Sequence, residues 1–260
     1  MKDVIVVKIG GSTFGSGDTT VEDIVSLQRQ GRPLVMVHGG GSMVTEWLER
    51  QGIATRFVRG ERVTDAPTLE VVTAVLAGLA NKTIVAAINS RGGWAVGISG
   101  VDGTLLRCRM KDKELGYVGI VEKVDPAPLE ALLVAGFVPV ISPLGLCSGS
   151  GSDDAPQLVN LNGDTVAGEL AAALRAARLI FLTDVDGVKG RSGEVISKLS
   201  AGEAEALVAS GVASGGMIPK VNACLRALGT RTITRIIDGR KPHALLKELE
   251  GKAGGTTIHK

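Results

Sequence analysis

The sequence has few aromatic residues and no excess of either charge. Aromatic side chains make up 3% of the 260 residues, and 29 lysines and arginines face 27 aspartates and glutamates, for a net charge of +2. Proteins that bind single-stranded nucleic acid stack its bases on aromatic side chains, and proteins that bind duplexes carry a strongly basic surface. The composition therefore argues against nucleic acid as a partner.

Cysteine is also scarce, and long apolar runs are missing. Cys108, Cys147 and Cys224 are too few and too scattered for a disulfide framework or a zinc site, so we expect no metal held by the protein. No apolar run reaches the roughly 18 residues that a membrane helix needs. The opening Met-Lys-Asp leads directly into a predicted strand, without a signal peptide. We therefore expect a cytoplasmic protein that makes no membrane contact.

Glycine, by contrast, is abundant. The 36 glycines are about twice the usual share, and they cluster after predicted strands. An apolar strand over residues 4–9 contains Lys8 and is followed by Gly10 and Gly11; a second strand, over 33–37, leads to three glycines and then a helix. Backbone N–H groups in such loops can approach an anion closely, and a lysine adds a point charge that suits phosphate. Because ligands of open α/β sheets bind beyond the carboxyl ends of the strands, we expect two anion-binding loops side by side.

Strands and helices alternate along the whole chain. This pattern predicts an α/β fold with a mostly parallel central sheet, and small antiparallel strands over 105–110 and 117–121 lie outside that sheet. The glycine loops fall in the first part of the chain and a second polar cluster falls near its end, so we divide the chain into two lobes, residues 1–178 and 179–260. The polar segment 148–154 is predicted to be a mobile surface loop.

A long apolar helix is predicted to begin after Asp65. Leu69, Val72, Val75 and Leu79 mark one apolar stripe, and several alanines widen it, so this helix should be buried on more than one side. Its outer face could pair with a second copy of the chain, or the helix could lie wholly within the core. The sequence leaves both interpretations open.

Five polar residues are candidates for ligand contacts. Arg62, in a predicted hairpin, could fork onto a carboxylate, although a single arginine is more often a solvated surface residue. Asn160, Asn162 and Asp164 precede a predicted helix and exceed what one helix cap requires, so some of them could face a ligand. Lys220 lies near the start of another helix, where its charge opposes the helix dipole; it either extends into solvent or is held by an anionic ligand.

Five segments resemble the amino acid kinase family in their order and spacing: residues 8–12, 37–41, 160–164, 183–188 and 215–220. Three more segments resemble the members that act on N-acetyl-L-glutamate: residues 60–65, 80–82 and 114–119. The resemblance spans essentially the whole chain and implies a three-layer α/β sandwich. It also implies transfer of the γ-phosphoryl group of ATP to the side-chain carboxylate of N-acetyl-L-glutamate, in arginine biosynthesis, with Mg²⁺ carried by the nucleotide.

The resemblance further implies a role for each matching residue. Lys8 and Lys220 would flank the transferred phosphoryl group, and Asp164 would position both lysines. The N-terminal lobe would form a dimer and bind the amino-acid substrate through Gly40, Gly41, Arg62 and Asn160. The C-terminal lobe would bind ATP. The residues implied for the nucleotide are Gly10, Gly11, Asp184, Val185, Asp186, Gly187, Val188, Lys189, Val212, Ala213 and Ser214.

The same resemblance bears on assembly and on alternative functions. Hexameric, arginine-inhibited members carry an extra helix ahead of the first strand, whereas three residues precede it here, which implies a homodimer that arginine does not inhibit. One alternative is a related kinase that phosphorylates glutamate or aminoadipate on an acidic carrier protein; the short segment 60–65 disfavours it. Another is an inactive amino-acid or nucleotide sensor on the same fold. Retention of both lysines and Asp164 disfavours the sensor.

Overall fold

The structure is a computed structural model that describes residues 3–10, 19–147, 157–229 and 232–260. Two predictions fall outside these ranges, namely the nucleotide contact of Gly11 and the mobile loop at 148–154. The strands are β1 (Ile5–Ile9), β2 (Leu34–His38), β3 (Phe57–Val58), β4 (Glu61–Arg62), β5 (Ala95–Ser99), β6 (Leu106–Met110), β7 (Gly119–Val124), β8 (Val138–Ser142), β9 (Leu144–Cys147), β10 (Gln157–Asn160), β11 (Arg178–Thr183), β12 (Lys198–Ser200), β13 (Ile233–Asp238) and β14 (Thr256–His259). The helices are α1 (Thr20–Arg29), α2 (Gly41–Arg50), α3 (Ala66–Thr73), α4 (Asn81–Ser90), α5 (Ala127–Val134), α6 (Gly163–Ala173), α7 (Ala201–Ala209), α8 (Met217–Ala227) and α9 (Ala244–Leu249).

Among the described residues, eight strands form one central sheet in the order β12-β14-β13-β11-β1-β2-β8-β5. Neighbouring strands run parallel except for β13 and β14. The first strand, β1, lies in the interior of the sheet between β2 and β11 and is buried along its whole length, as its run of valines and isoleucines predicts. The predicted α/β fold with a mostly parallel sheet is confirmed.

The side chains of β1 alternate between the two faces of the sheet, as the pleat requires. Val6 packs into a core that includes side chains of α6, α7 and α8. Ile5 and Val7 pack on the other face, into a core that includes side chains of α1, α4 and α9. Helices therefore cover both faces and form the outer layers of a three-layer sandwich. By the same alternation, Lys8 shares the face of Val6 and points towards α6.

The two predicted lobes share the central sheet. Strands β1, β2, β5 and β8 come from the N-terminal lobe, and β11 to β14 come from the C-terminal one. The boundary lies between β1 and β11, which are paired over five residues of each strand. The assignment of substrate to one lobe and ATP to the other stays a prediction.

A smaller sheet lies beside the central one, in the order β10-β9-β6-β7, and β3 and β4 form a separate hairpin. The pair β6 and β7 is antiparallel, as predicted. The sequence did not predict β9 and β10, because each has only four residues and the Asn160 segment was assigned to the start of a helix. The observed helix, α6, begins at Gly163, two residues before the predicted start at Thr165.

Residues 66–90 form one long helix, in which a π-helical segment, Ala74–Ala80, joins α3 to α4. The expectation that no segment is apolar and long enough to cross a membrane is wrong for this helix, which passes that test by length and composition. Isolated polar residues such as Asn81 interrupt the apolar run without making the helix polar on average. However, 44% of its most apolar window is buried inside the protein, and core helices pass the same test. Ile84 and Ile88 pack against the central sheet.

Candidate active site

The ends of β1 and β2 lie side by side at one edge of the central sheet. Ile9 is opposite His38 in the register, so the chains that continue through Gly10 and Gly39 leave the sheet at the same level. The start of α6 approaches this edge closely, since a Cβ atom on Gly163 would lie 3.3 Å from the carbonyl oxygen of His38. The two glycine loops therefore begin next to each other and next to a helix N-terminus.

Lys8, Asp164 and Lys220 form a buried charged cluster beside this edge. The Nζ atom of Lys8 lies 2.7 Å from Oδ1 of Asp164, and the Nζ atom of Lys220 lies 3.0 Å from Oδ2. The three side chains are 10%, 7% and 16% exposed, respectively. Lys220 also donates a hydrogen bond of 3.1 Å to the carbonyl oxygen of Gly216. The structure thus brings together the three residues that the resemblance assigns to catalysis.

Close packing of α6 against α8 allows Asp164 and Lys220 to come into contact. A Cβ atom on Gly168 would lie only 2.8 Å from both the Cα atom and the carbonyl oxygen of Ala223, so only glycine fits at that crossing. Asp164 lies four residues before Gly168, on the same face of α6, and Lys220 lies three residues before Ala223 on α8. The glycine therefore lets the two helix starts approach within ion-pair distance.

The second glycine loop is held against the long helix. Gly40 has a φ of 154°, and a Cβ atom there would lie 2.6 Å from Cδ2 of Leu76, in the π-helical segment. Gly41 is the first residue of α2 and Gly40 is its N-cap. The first N–H groups of a helix have no partner within the helix and point outward along its axis, where they can bind an anion.

Arg62 is held by neighbouring groups before any ligand binds. Its Nη2 donates to the carbonyl oxygen of Gly41 at 2.9 Å and to Oγ1 of Thr45 at 2.8 Å, and its Nη1 lies 3.4 Å from Oγ1 of Thr55. The guanidinium carbon lies 4.9 Å from the ring centre of Phe57, at cation–π distance. Burial lowers the pKa of the Arg62 guanidinium, which stays charged at neutral pH. The arginine is therefore fixed beside the glycine loop rather than solvated at the surface.

The asparagines of the 160–164 segment do different things. Oδ1 of Asn162 accepts hydrogen bonds from the N–H groups of Asp164 and Thr165, at 2.9 and 3.1 Å, so Asn162 is the N-cap of α6. Asn160 ends β10 and its Nδ2 donates to Oγ1 of Thr64 at 3.2 Å. One asparagine therefore caps the helix that carries Asp164, and the other remains a candidate ligand contact.

A cavity of about 230 Å³ collects the four predicted substrate residues, Gly40, Gly41, Arg62 and Asn160. Glu61 contributes a carboxylate to the lining, and its charge is neutralised by Lys111, whose Nζ lies 2.6 Å from Oε1 of Glu61. Backbone N–H groups and the Arg62 guanidinium give the wall a surplus of donors. The cavity is therefore suited to a small ligand that carries negative charge. The other lining residues are Gly39, Val44, Phe57, Gly60, Val72, Leu76, Val118, Pro143, Leu161, Asn162 and Gly163.

The predicted nucleotide residues lie elsewhere, and none of those described lines this cavity. Residues 184–189 follow β11, and Gly10 donates to the carbonyl oxygen of Leu182 at 3.3 Å. Asp186 is paired with Lys241 at 2.8 Å. Val188 is buried in the core, and its N–H donates to Oγ1 of Thr256 at 2.8 Å. This segment is thus a turn at the carboxyl end of a sheet strand, where α/β proteins bind ligands.

Residues 212–214 form the link between α7 and α8. Ala213 is buried and its N–H donates to the carbonyl oxygen of Leu207 at 3.0 Å. The carbonyl oxygen of Ser214 accepts from Met217 at 3.1 Å. These bonds fix the start of the helix that carries Lys220. Among the described residues, no group of three or more histidine, cysteine, aspartate or glutamate side chains could hold a metal ion.

The sequence reasoning missed a buried polar network behind the second glycine loop. His38 and Asn81 are 0% and 1% exposed, and they contact each other. Lys82 donates to Oδ1 of Asn81 at 3.1 Å. Both 37–41 and 80–82 were singled out as motifs, and a histidine at the end of an otherwise apolar strand was the available signal. The contact could not be foreseen, because 42 residues lie between His38 and Asn81 in the chain, and the π-helical segment is among them.

Known proteins resemble this chain over most of its length. Residues 3–238 match the profile described as the amino acid kinase family. An acetylglutamate kinase of Dehalococcoides mccartyi is 49% identical over 98% of this chain and 94% of that protein. An acetylglutamate kinase of Roseobacter denitrificans is 46% identical over 98% of this chain and 88% of that protein.

Solved structures share the fold. The smu.665 protein of Streptococcus mutans superposes with a TM-score of 0.84 and 28% identity, over 100% of this chain and 99% of that one. An N-acetylglutamate synthase of Neisseria gonorrhoeae, complexed with coenzyme A and N-acetyl-glutamate, gives a TM-score of 0.83 and 28% identity over 99% of this chain and 59% of that one. The chain therefore belongs to the amino acid kinase family, and its curated relatives place it among the acetylglutamate kinases.

Proposed function

We propose that this chain transfers the γ-phosphoryl group of ATP to the side-chain carboxylate of N-acetyl-L-glutamate, as a step of arginine biosynthesis. The observation that carries the proposal is the Lys8–Asp164–Lys220 cluster, which adjoins a cavity built from the second glycine loop and Arg62. Curated relatives that are 49% identical over nearly the full length bear the name of this activity.

The proposed reaction depends on alignment rather than on acid–base catalysis. A carboxylate is already ionised at neutral pH, so it attacks phosphorus without a general base. The protein then has to hold the carboxylate and the phosphoryl group in line and to stabilise the charge that develops on the phosphoryl oxygens. Lys8 and Lys220 provide charged donors, and the N–H groups of Gly40 and Gly41 provide neutral ones. Asp164 holds both lysines in place.

The cavity contains groups that can bind the part of the substrate that does not react. Arg62 is already oriented by three hydrogen-bonding oxygens, and its charge can attract the α-carboxylate of N-acetyl-L-glutamate, to which its remaining N–H groups, on Nε and Nη1, can donate singly. Asn160 lines the same cavity, and its amide can contact the same ligand. A substrate held in this way presents its side-chain carboxylate towards the glycine loop.

ATP would approach the same cluster from the C-terminal half. Residues 184–189 and 212–214 flank β11 and α8 in the chain, and we assign the nucleotide to them and to Gly10, with Gly11 outside the described ranges. The two lysines and the glycine N–H groups fit phosphate oxygens. Mg²⁺ bound to the nucleotide neutralises charge on those oxygens.

We also propose a cytoplasmic homodimer in which the N-terminal lobe forms the interface. The long helix 66–90 supports this assembly, because it is apolar yet only partly buried in one chain. Leu79 is 43% exposed on its outer face. In a two-fold symmetric dimer, the same apolar face of two copies would pack against itself.

The test is release of ADP by the purified chain with MgATP. N-acetyl-L-glutamate should support turnover, whereas free L-glutamate and N-acetyl-aminoadipate should not. Lys8→Ala and Lys220→Ala should each lower kcat by about 100-fold or more, the usual loss when a group that stabilises transition-state charge is removed. Lys252→Ala is the matched control, since that lysine is 71% exposed and should leave kcat unchanged.

Three results would count against this assignment. Near-normal turnover in the Lys8 or Lys220 variant would remove these lysines from catalysis. Turnover only on glutamate attached to an acidic carrier protein would favour the carrier-linked kinase. Binding of ATP without turnover on any of these acceptors would favour a sensor.

A further inference from the structure

His38 is the last residue of β2 and takes no part in the proposed chemistry, yet both of its ring nitrogens are engaged. Nδ1 lies 2.7 Å from the carbonyl oxygen of Gly39, and Nε2 lies 3.2 Å from Nδ2 of Asn81. The side chain is fully buried. A buried imidazole with two specific partners has a defined orientation and a defined tautomer.

The partners fix that tautomer from both ends. A carbonyl oxygen only accepts, so Nδ1 of His38 must carry the proton that it shares with Gly39. Nδ2 of Asn81 is a donor, because it also bonds the carbonyl oxygen of Val140 at 2.9 Å while Oδ1 accepts from Lys82 at 3.1 Å. Nε2 of His38 must therefore be the unprotonated acceptor. Both ends of the ring require the neutral Nδ1–H form.

This hydrogen bond determines the direction of the peptide that begins the glycine loop. In a planar trans peptide, the carbonyl of one residue and the N–H of the next point in opposite directions. With the Gly39 carbonyl turned towards the buried His38 ring, the N–H of Gly40 is turned away from it. Both glycines line the cavity, and no acceptor in the described ranges binds the Gly40 N–H. The Gly40 N–H is therefore presented on the ligand side.

The ring that holds the peptide is itself anchored to three other elements. Asn81 begins α4 and bonds the backbone of β8 through Val140. Lys82 donates to the carbonyl oxygen of Gly97 in β5 at 2.8 Å. The π-helical segment just before Asn81 places Leu76 against Gly40. The glycine loop is thus supported by rigid structure on the side away from the ligand.

We propose that His38 is a positioning residue whose Nδ1–H, oriented by Asn81, holds the Gly39 carbonyl and so aims the Gly40 N–H at an anionic oxygen of the bound reactants. This inference rests on the proposed kinase function. It assigns to His38 the pre-organisation of one donor, which would otherwise have to be ordered at each turnover. His38 acts through Gly40 and does not touch the substrate.

Two substitutions test the roles of the two ring nitrogens of His38 separately. The amide nitrogen of asparagine can occupy the place of Nδ1, so His38→Asn keeps the bond to Gly39 and loses the one to Asn81. Glutamine reaches the place of Nε2, so His38→Gln keeps the contact with Asn81 and loses the bond to Gly39. We expect His38→Gln to lower kcat by about 100-fold, as loss of one oxyanion donor does, with a much smaller change in KM for N-acetyl-L-glutamate. His38→Asn should stay within about tenfold of the wild type, the effect of one ordinary hydrogen bond.

Amide hydrogen exchange of a peptide covering residues 38–44 provides a second measurement that needs no substrate. We expect faster exchange at this segment in His38→Gln than in His38→Asn, because the freed Gly39–Gly40 peptide can rotate. Equal exchange and equal kcat in the two variants, or greater damage in His38→Asn, would overturn the proposal. If the wild type turns over none of the acceptors, the kinase assignment fails, whereas the exchange comparison still decides the role of His38.

The wild-type chain provides a third measurement should either variant fail to fold. The chain has only three histidines, so nitrogen-15 spectra of histidine-labelled protein resolve each ring. We expect His38 to be neutral at pH 7 with its proton on Nδ1. A proton on Nε2, or a charged ring, would overturn the proposal without any substitution.

Discussion

Asp164 is one carboxylate between two ammonium groups, so the cluster at the candidate active site carries one net positive charge. A buried aspartate without partners would be costly to ionise, but contacts at 2.7 and 3.0 Å from Lys8 and Lys220 stabilise the charged form. Among the described residues, neither lysine pairs with a second carboxylate, so one positive charge is left over. It is available to a phosphoryl group, which is the chemical reason why two lysines and one aspartate suit phosphoryl transfer.

Removal of the central charge should destabilise the fold as well as the reaction. Asp164→Asn leaves two largely buried ammonium groups without a counter-charge, and we expect the free energy of unfolding to fall by about 3–5 kcal/mol, the usual effect of breaking a buried ion pair from one side. Urea unfolding measures this change. The control is Glu169→Gln on the same helix, whose partner Arg226 is 61% exposed; it should cost about 1 kcal/mol or less. Equal losses in the two variants would contradict the burial argument.

His38 should give the folding free energy a measurable pH dependence. Burial, with smaller contributions from the nearby Lys8 and Lys82, lowers the pKa of His38 below its ordinary value of 6.5. As pH falls below about 6.5, the unfolded chain therefore binds a proton that the folded chain does not, and stability decreases until pH reaches the folded pKa. The slope from one such proton is at most about 1.4 kcal/mol per pH unit.

The measurement is urea unfolding of the wild type and of His38→Asn between pH 5 and pH 7, a range set by the pKa of free histidine at about 6.5. We expect a shallower dependence in the variant. Contributions from other groups cancel in this comparison, including Asp23, whose pKa is raised by burial. Parallel curves would mean that His38 titrates alike in the folded and unfolded chain.

At the scale of elements, the crossing of α6 and α8 decides where the catalytic side chains meet. Each helix has its own start signal: Asn162 caps α6, and α8 follows the glycines before Met217. These local signals set the direction of each helix but not the distance between them. The distance depends on Gly168, which lets the α6 backbone approach Ala223 of α8 without an intervening side chain.

Gly168→Ala should separate the two helices. The added Cβ would lie 2.8 Å from backbone atoms that cannot move alone, and we expect a loss of about 1–3 kcal/mol in the free energy of unfolding, typical of overpacking. The Asp164–Lys220 contact should lengthen, so kcat should fall although Gly168 touches no reactant. Gly202→Ala is the control, because nothing lies within 4 Å of that site on α7 and alanine favours helix by up to about 1 kcal/mol. Unchanged kcat in Gly168→Ala would show that the helix spacing does not control the site.

On the scale of the whole molecule, the sheet order explains why distant segments share one site. Strand β1 lies between β2, from the same half, and β11, from the other half. All three run parallel, so their carboxyl ends, which lead to the loops at Gly10, Gly39 and Asp184, lie at one edge. Ligands bound by residues of either half of the chain can therefore meet at this edge, and no interface between separate domains is needed.

The proposed dimer is tested at this scale. We expect light scattering to give the mass of two chains, and Leu79→Glu to give the mass of one, because a charge on the exposed apolar face of the long helix would have to be buried between copies. Val134→Glu is the matched control, since Val134 is 78% exposed on α5 and should leave the assembly intact. A wild-type monomer, or a Leu79→Glu variant that remains a dimer, would refute this interface.

Much of the fold follows from local sequence. The apolar β-branched run of β1, the Asp65 cap before Pro67 and the Ser200 capping box are all signals within a few residues, and the structure places elements at each of them. Strands β9 and β10 escaped prediction, because strands of four residues are stabilised mainly by pairing and carry little pattern of their own. The long apolar helix after Asp65 was recognised, but its π-helical segment was not, nor that its length and composition together suffice for a membrane span.

Local sequence is enough to identify the residue types of the candidate site: lysines, an aspartate and glycines at strand and helix ends, which indicate phosphate chemistry because charge and backbone access are local properties. Which of these residues come into contact depends on the three-dimensional fold. It joined Lys8 and Lys220 through Asp164, separated the capping Asn162 from Asn160, and put Asn81 behind His38. Those contacts depend on sheet order and helix spacing, which arise from packing between segments far apart in the chain, and no single segment encodes them.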